Sequence, residues 1–323
     1  MYDLDTFRIG IQLTEACNFA CAHCGTRSSP KRHGSFDSKY LDHAIRQIFD
    51  VDPNPVIGFT SGEVFTVEDK LWRAADKIEK LGGRYGVTTN GSWGAEKGSR
   101  NRILSRLKNA DSLGLSADRF HAKFINPRII GDLALEAKSR GIRVSIRYTL
   151  QSGEDEKEAL RRLGLSVEDT SLVHFSGAMS IGFAVKLDDA LFPVFENEPC
   201  GAASNPIITQ KLQVFACCGE SMYMGLSSPL FLGSLSNNSL ASILQQASES
   251  IEIQAIRTMG PVGMANRILA DDLREKEKVA TRSPCGNCRV MFRSDKRRRL
   301  VHDWCEAKKE RITTLRAMLY GEV

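Results

Sequence analysis

The chain predicts an α/β fold built from repeated βα units, and three observations carry this. Apolar, β-rich runs alternate with amphipathic stretches up to about residue 185. Glycines stand where the helices should stop. Residues able to carry chemistry fall just after the apolar runs, where parallel sheets gather their ligands. Strands are predicted at 7–13, 56–59, 84–89, 111–116, 142–149 and about 172–184, with helices near 38–49, 68–82, 95–108, 126–140 and 154–164. In the first strand Phe7, Ile9, Ile11 and Leu13 alternate as on a half-buried strand, and Val56-Ile57-Gly58-Phe59 is a continuous apolar run typical of a buried one. Gly82-Gly83 and Gly141 are placed to end helices before the next strand. Six such units are too few to close an eight-stranded barrel.

From about residue 190 the rhythm changes. Pro199-Cys200-Gly201 opens a segment in which Ile207-Ile208-Thr209 and Leu212-Gln213-Val214-Phe215 flank a short turn, a hairpin that ends at Cys217-Cys218. Two helices over 239–281, a tight knuckle at Pro284-Cys285-Gly286-Asn287-Cys288 and a helix over 302–319 complete the reading, which divides the chain at residues 1–190 and 191–323.

With 323 residues and 42% hydrophobic content, the chain can bury one large core or a core with a smaller appendage. It shows neither a signal-peptide pattern nor an uncharged apolar stretch free of breakers, so neither export nor a membrane is expected. Nine cysteines, an odd number at ligand-like spacings, point to a reducing cytoplasm rather than to disulfides. Residues 281–323 hold eleven Lys/Arg against five Asp/Glu, so they contribute six of a net charge of +5 and the remainder is at minus one. Without interleaved aromatic residues, the Lys296-Arg297-Arg298-Arg299 run reads as a solvated face and not as a nucleic-acid site.

The most informative stretch is Cys17-Asn18-Phe19-Ala20-Cys21-Ala22-His23-Cys24, directly after the first strand. A [4Fe–4S] cube usually takes four cysteines. Three thiolates in one loop would leave one iron open to a small chelating molecule. The competing reading is a structural zinc, with His23 as fourth ligand, although His23 is wedged between two of the cysteines. The second predicted strand then runs into Thr60-Ser61-Gly62-Glu63, and the two motifs in this context favour the cluster.

Together these motifs resemble the radical S-adenosylmethionine (SAM) superfamily. That resemblance implies a partial (β/α)6 TIM barrel, with the methionine end of SAM on the open iron and radical chemistry as the activity. In that family a Gly-Gly-Glu after the second strand holds the SAM amino group through carbonyls and the carboxylate; here Ser61 replaces its first glycine. The resemblance carries further SAM contacts to the strand ends: Asn90, Ser116, Asp118 and Arg147, with Gly182 near the adenine and His23 in the cysteine loop. Taken singly, these are ordinary turn formers, caps or surface charges.

Cys200, Cys217, Cys285 and Cys288 form a complete set of four, enough for a closed [4Fe–4S] cluster or for a structural zinc. The set resembles the C-terminal SPASM/twitch auxiliary-cluster extension of radical SAM enzymes. Cys305 lacks a partner and reads as a buried helix residue. Neighbouring side chains on an extended strand point to opposite faces, so if Cys217 faces the auxiliary cluster, Cys218 faces away, toward the barrel mouth. There it is either a hydrogen-atom donor or a small buried hydrophobe.

A closer likeness, carried by Phe59-Thr60-Ser61-Gly62-Glu63-Val64-Phe65, Asn90-Gly91-Ser92-Trp93-Gly94, Ser116-Ala117-Asp118-Arg119-Phe120-His121, Cys217-Cys218 and Cys285-Gly286-Asn287-Cys288, is to the radical SAM peptide epimerases of the epipeptide pathway. It implies an isomerase that converts L- to D-residues in a ribosomally synthesised peptide, with Cys218 as hydrogen donor, two [4Fe–4S] clusters, SAM, and an external electron donor such as flavodoxin or ferredoxin. One departure concerns substrate: where the family has an aspartate four residues after the first auxiliary cysteine, this chain has Ser204, followed by Asn205. The alternatives are a twitch-type enzyme that crosslinks or oxidises a peptide or small molecule (a sugar or aminoglycoside), and a non-catalytic Fe–S electron carrier. With the first strand starting within about ten residues of Met1, no N-terminal leader-binding domain is expected.

Overall fold

The computed structural model describes residues 8–270 and 283–321. Its spine is one sheet of nine strands in the order β6-β5-β4-β3-β2-β1-β7-β8-β9. The first six, β1 (Arg8–Thr14), β2 (Val56–Ser61), β3 (Arg84–Thr89), β4 (Ser112–Ala117), β5 (Val144–Leu150) and β6 (Val173–Gly177), are all parallel, each paired to the next. They are joined by α1 (Ser38–Phe49), α2 (Glu68–Lys80), α3 (Lys97–Arg106), α4 (Pro127–Ser139) and α5 (Glu156–Leu163). Parallel strands need such crossovers, and the sheet stays open, as expected of a partial (β/α)6 barrel.

The helices form because apolar residues recur on one face. In α1 the Asp37 side chain caps the Lys39 N–H, and Leu41, Ala44, Ile45 and Ile48 are buried. Each buried Leu or Ile contributes roughly 2 kcal/mol. In α4, Asn126 caps and Pro127 opens a helix that buries Ile130, Leu133, Ala134 and Ala137. The chain turns out of α2 and α4 at Gly82 and Gly141, whose φ values of 86° and 78° few other residues adopt.

Two expectations need correction. The sixth strand ends at Gly177, so Gly182 lies in the turn beyond it and not within a strand. The expected hairpin exists as β7 (Ile207–Ile208) and β8 (Gln213–Phe215), but its second strand stops at Phe215, so Cys217 and Cys218 lie in the bend beyond it and not on an extended strand, and β7 also pairs in parallel with β1. The hairpin and β9 (Phe231–Ser234) therefore extend the barrel sheet itself. Gly10 permits this join, since a Cβ there would lie 3.2 Å from Ile207 Cγ1.

Beyond β9 come α6 (Leu240–Glu249), α7 (Ile251–Met259) and α8 (Pro261–Ile268), three helices where two were expected; the end of that predicted stretch lies outside the described residues. The knuckle is the first turn of α9 (Pro284–Phe292), capped by Ser283, and α10 (Asp295–Glu306) and α11 (Lys309–Tyr320) replace one expected helix. Cys305 is fully buried, as expected. Among the described residues no helix is long and apolar enough to cross a membrane.

Candidate active site

The loop after β1 is held by two backbone exchanges, Glu15 N–H to Gly34 O at 2.7 Å and Phe36 N–H to Leu13 O at 3.0 Å. It brings Cys17, Cys21 and Cys24 to the lining of one cavity of about 180 Å³, at the C-terminal ends of the strands. His23, Ser61, Gly62, Asn90 and Ser116 line it too. His23 stacks on Phe120 with ring centroids 4.3 Å apart, and its buried Nδ1 has no hydrogen-bond partner among the described residues.

The Phe19 N–H donates to Cys17 Sγ at 3.4 Å and the Ser28 N–H to Cys24 Sγ at 3.3 Å, contacts of the kind that tune cluster sulfurs. Burial pushes the Cys17 thiol up to about 12, against the Phe19 N–H. Zinc fits less well. Sulfurs about 2.3 Å from one tetrahedral ion stand roughly 3.8 Å apart. Among the described residues, the one trio of candidate ligand atoms mutually within 4.8 Å is His23, Asp118 and His121, so neither cysteine set is drawn in to the span of a single ion.

Five expected SAM contacts lie elsewhere or are already engaged. Glu63 is buried and its carboxylate is committed inside the protein: Oε1 accepts from the Thr89 hydroxyl at 2.7 Å and the Phe65 N–H at 3.2 Å, Oε2 from the Asn90 N–H at 2.7 Å. Burial pushes this carboxyl up, while those donors pull it down. Asp118 is also turned inward. Its Oδ1 accepts the Phe120 and His121 N–H groups, and its Oδ2 lies 2.9 Å from His121 Nδ1 and 3.1 Å from His23 Nε2. Burial would raise that carboxyl, but the histidines hold it well below the usual range. Burial would likewise lower His121, yet the Asp118 carboxylate and Cys21 hold it at about 10.

Arg147 points into a different space, and Gly182 serves the cysteine loop. A Cβ on Gly182 would fall 2.3 Å from Cys24 O and 2.4 Å from Gly25 O, and Phe183 N–H donates to Cys24 O at 3.0 Å. Asn90 lines the cavity, but its side chain is engaged: Nδ2 donates to Asn18 Oδ1 at 2.8 Å and reaches Cys17 Sγ at 3.7 Å. No sequence expectation falls on Ser28, and Asn18 and His121 lie within the motifs without an expected role.

Below this cavity the barrel lumen is open. Its interior positions include Gly10, Gly58, Gly86, Ser112, Gly114 and Ser145, where barrels usually carry branched side chains, and a space of about 400 Å³ results. Arg147 and Cys218 line this space, and among the described residues no Asp or Glu does. Thr60 and Thr88 belong to both spaces, so the two adjoin. A third cavity, of about 760 Å³, is lined by Cys200, Cys217, Cys285 and Cys288, and Cys218 reaches it as well. Burial and the neighbouring thiols push Cys285 and Cys288 well up. Gly219 lies between two of the thiols, since a Cβ there would be 3.5 Å from Cys285 Sγ and 3.7 Å from Cys217 Sγ. Cys218 is exposed and borders both of these spaces; desolvation by the surrounding protein and the neighbouring Cys217 push its thiol up to about 11, against Arg147.

Residues 11–164 match the Radical SAM superfamily model. Over 297 residues the chain is 21% identical to the putative peptide biosynthesis protein YydG of Bacillus subtilis (strain 168), covering 88% of this chain and 92% of that protein. In fold it is similar to native anSMEcpe with bound AdoMet (TM-score 0.54, 12% identity, 96% of this chain and 99% of that one). It is also similar to Streptococcus suis SuiB bound to precursor peptide SuiA (TM-score 0.52, 13% identity, 89% and 71%). The chain thus carries a Radical SAM domain over residues 11–164, and that domain implies a [4Fe–4S] cluster and SAM.

Proposed function

We propose that this enzyme is a peptide epimerase, converting L- to D-residues in a ribosomally synthesised peptide. The observation that carries the reading is the position of Cys218, a thiol exposed to the barrel lumen at its junction with the four-cysteine cavity. The likeness to YydG and to a protein solved with its precursor peptide supports a peptide substrate.

Cys17, Cys21 and Cys24 would hold the first cluster, with His23, Ser61, Gly62 and Ser116 around SAM, and Cys200, Cys217, Cys285 and Cys288 a second cluster in an extension over 191–323. When bound, these groups supply a 5′-deoxyadenosyl radical and a nearby source of single electrons. The chain's own part is geometric. The small residues of the lumen admit the substrate, and the cysteine-lined cavity and Cys218 then address one carbon from different sides. Hydrogen lost from Cα on one side is replaced on the other by the hydrogen of the Cys218 S–H bond. The sulfur left behind regains its hydrogen as one electron and one proton, the electron coming ultimately from a flavodoxin- or ferredoxin-like donor. Fixing both transfers about one carbon is what confers stereochemical control.

Cys218→Ala tests this. The variant should retain both clusters and form 5′-deoxyadenosine, yet yield no D-residue. The wild type in deuterated water should add one deuteron at the inverted carbon, read as about one mass unit, because a thiol exchanges with solvent. Normal product from Cys218→Ala, without solvent deuterium in the wild type, would leave oxidation or crosslinking as the reading.

A further inference from the structure

We infer that Glu63 and Asn90 are positioning residues of the cysteine loop, and that Glu63 sets the cluster ligands in place instead of contacting the SAM amine. The inference rests on the assignment of Cys17, Cys21 and Cys24 to the first cluster, but not on the epimerase reading.

Two chains of contacts run from the Ser61-Gly62-Glu63 turn to the thiols. The first is backbone. Glu63 N–H donates to Ala16 O, the carbonyl just before Cys17, at 2.8 Å. Only glycine at position 62 allows so close an approach, because a Cβ there would fall 2.0 Å from that oxygen. Gly62 N–H donates to Ser28 Oγ at 3.0 Å, and Ser28 N–H donates in turn to Cys24 Sγ at 3.3 Å.

The second chain runs through the carboxylate. By accepting from Thr89 and from the Asn90 N–H, Glu63 ties the end of β2 to the turn after β3. Within that turn Asn90 Oδ1 accepts from Ser92 N–H at 3.0 Å, which aims Nδ2 at Asn18 and at Cys17 Sγ. Asn18 is held from its other side by Nδ2 donating to Ser92 Oγ at 2.8 Å. The carboxylate is 1% exposed and absent from the cavity lining, so its charge is satisfied by protein donors. Each of its oxygens accepts from a backbone N–H, Oε1 from Phe65 and Oε2 from Asn90. A glutamine in its place must therefore set its amide NH₂ against one of those N–H groups in either orientation.

The test uses full-length protein reconstituted anaerobically with iron and sulfide, with a Cys17→Ala/Cys21→Ala/Cys24→Ala variant as the baseline for the second cluster. Glu63→Gln should reduce iron above that baseline by about threefold or more, while the sites that do load bind SAM within about twofold of wild type. Asn90→Asp replaces the donor aimed at Cys17 with an acceptor, and should move the SAM-responsive cluster to lower potential with an altered electron paramagnetic resonance signal, since hydrogen bonds to the sulfurs help set cluster potential. Retention of the second cluster reports that both variants are folded. A tenfold loss of SAM affinity per loaded site in Glu63→Gln would overturn the inference, as would wild-type iron content in that variant or an unchanged potential in Asn90→Asp. A wild type with no iron above the baseline would instead overturn the cluster assignment itself.

Discussion

Gly62→Ala isolates the fit between the end of β2 and the cysteine loop. The added methyl would fall 2.0 Å from Ala16 O, 2.9 Å from Ala16 C and 3.0 Å from Thr14 O, where ordinary contact begins at 3.4 Å. Backbone must therefore move by more than an ångström, and it is the backbone that carries Cys17. Overpacking of this kind costs about 1–3 kcal/mol, and losing the Glu63 N–H to Ala16 O bond adds roughly 1 kcal/mol. The expected destabilisation of the metal-free protein is about 2–4 kcal/mol, read as a lower denaturation midpoint, and iron uptake should fall with it. Gly58→Ala is the matched control beside it on β2, since a Cβ there would have Ile9 O 3.9 Å away as its nearest neighbour. It should stay within about 1 kcal/mol of wild type. Equal stability and equal iron content in the two variants would refute the argument.

Three further outcomes are expected. Cys17→Ala, Cys21→Ala or Cys24→Ala should abolish SAM cleavage, and the triple variant should hold about four irons where the wild type holds about eight; stoichiometric zinc with little iron would contradict this. Arg147→Met should leave SAM affinity of loaded protein unchanged while weakening peptide turnover, because Arg147 lines the lumen with Cys218 and not the cysteine-lined cavity; a loss measured in SAM titrations would show that it serves SAM after all. Burial opposes ionisation of Asp42, but the Lys77 hydrogen bond and the Lys77 and Arg73 charges hold its carboxyl below the usual value. Its contribution is therefore present above pH about 4 and lost as pH falls through the folded pKa, so the deficit of Asp42→Asn in denaturant titrations should be below about 1 kcal/mol at pH 7 and vanish in acid.

Spacing made the barrel legible. Five of the six expected strands lie within two residues of the observed ones, because apolar runs and terminal glycines report on local structure alone. The β1–β7 join was not legible, since nothing local in Ile207-Ile208 says which strand it will meet, and only Gly10, almost 200 residues earlier, makes room for it. The site divides in the same way. Cysteine spacing points to a ligand set because one loop can wrap one group, whereas a carboxylate's direction depends on what surrounds it. The sequence places Glu63 and Asp118 at strand ends as expected SAM contacts, yet each is turned inward by backbone N–H groups that the sequence does not locate. Ser61 shows how a departure from pattern can be reconciled. Its φ of 80° lies where glycine is favoured and strain for other residues is of order 1–2 kcal/mol. Its hydroxyl, however, accepts a buried hydrogen bond from Gln12 Nε2 at 2.8 Å, which glycine could not do. Gln12, in the first strand, would lose that partner in Ser61→Gly, and an unsatisfied buried amide costs about as much as the strain relieved. Serine is thus tolerated at 61 through a residue on another strand, and the two positions must be read together.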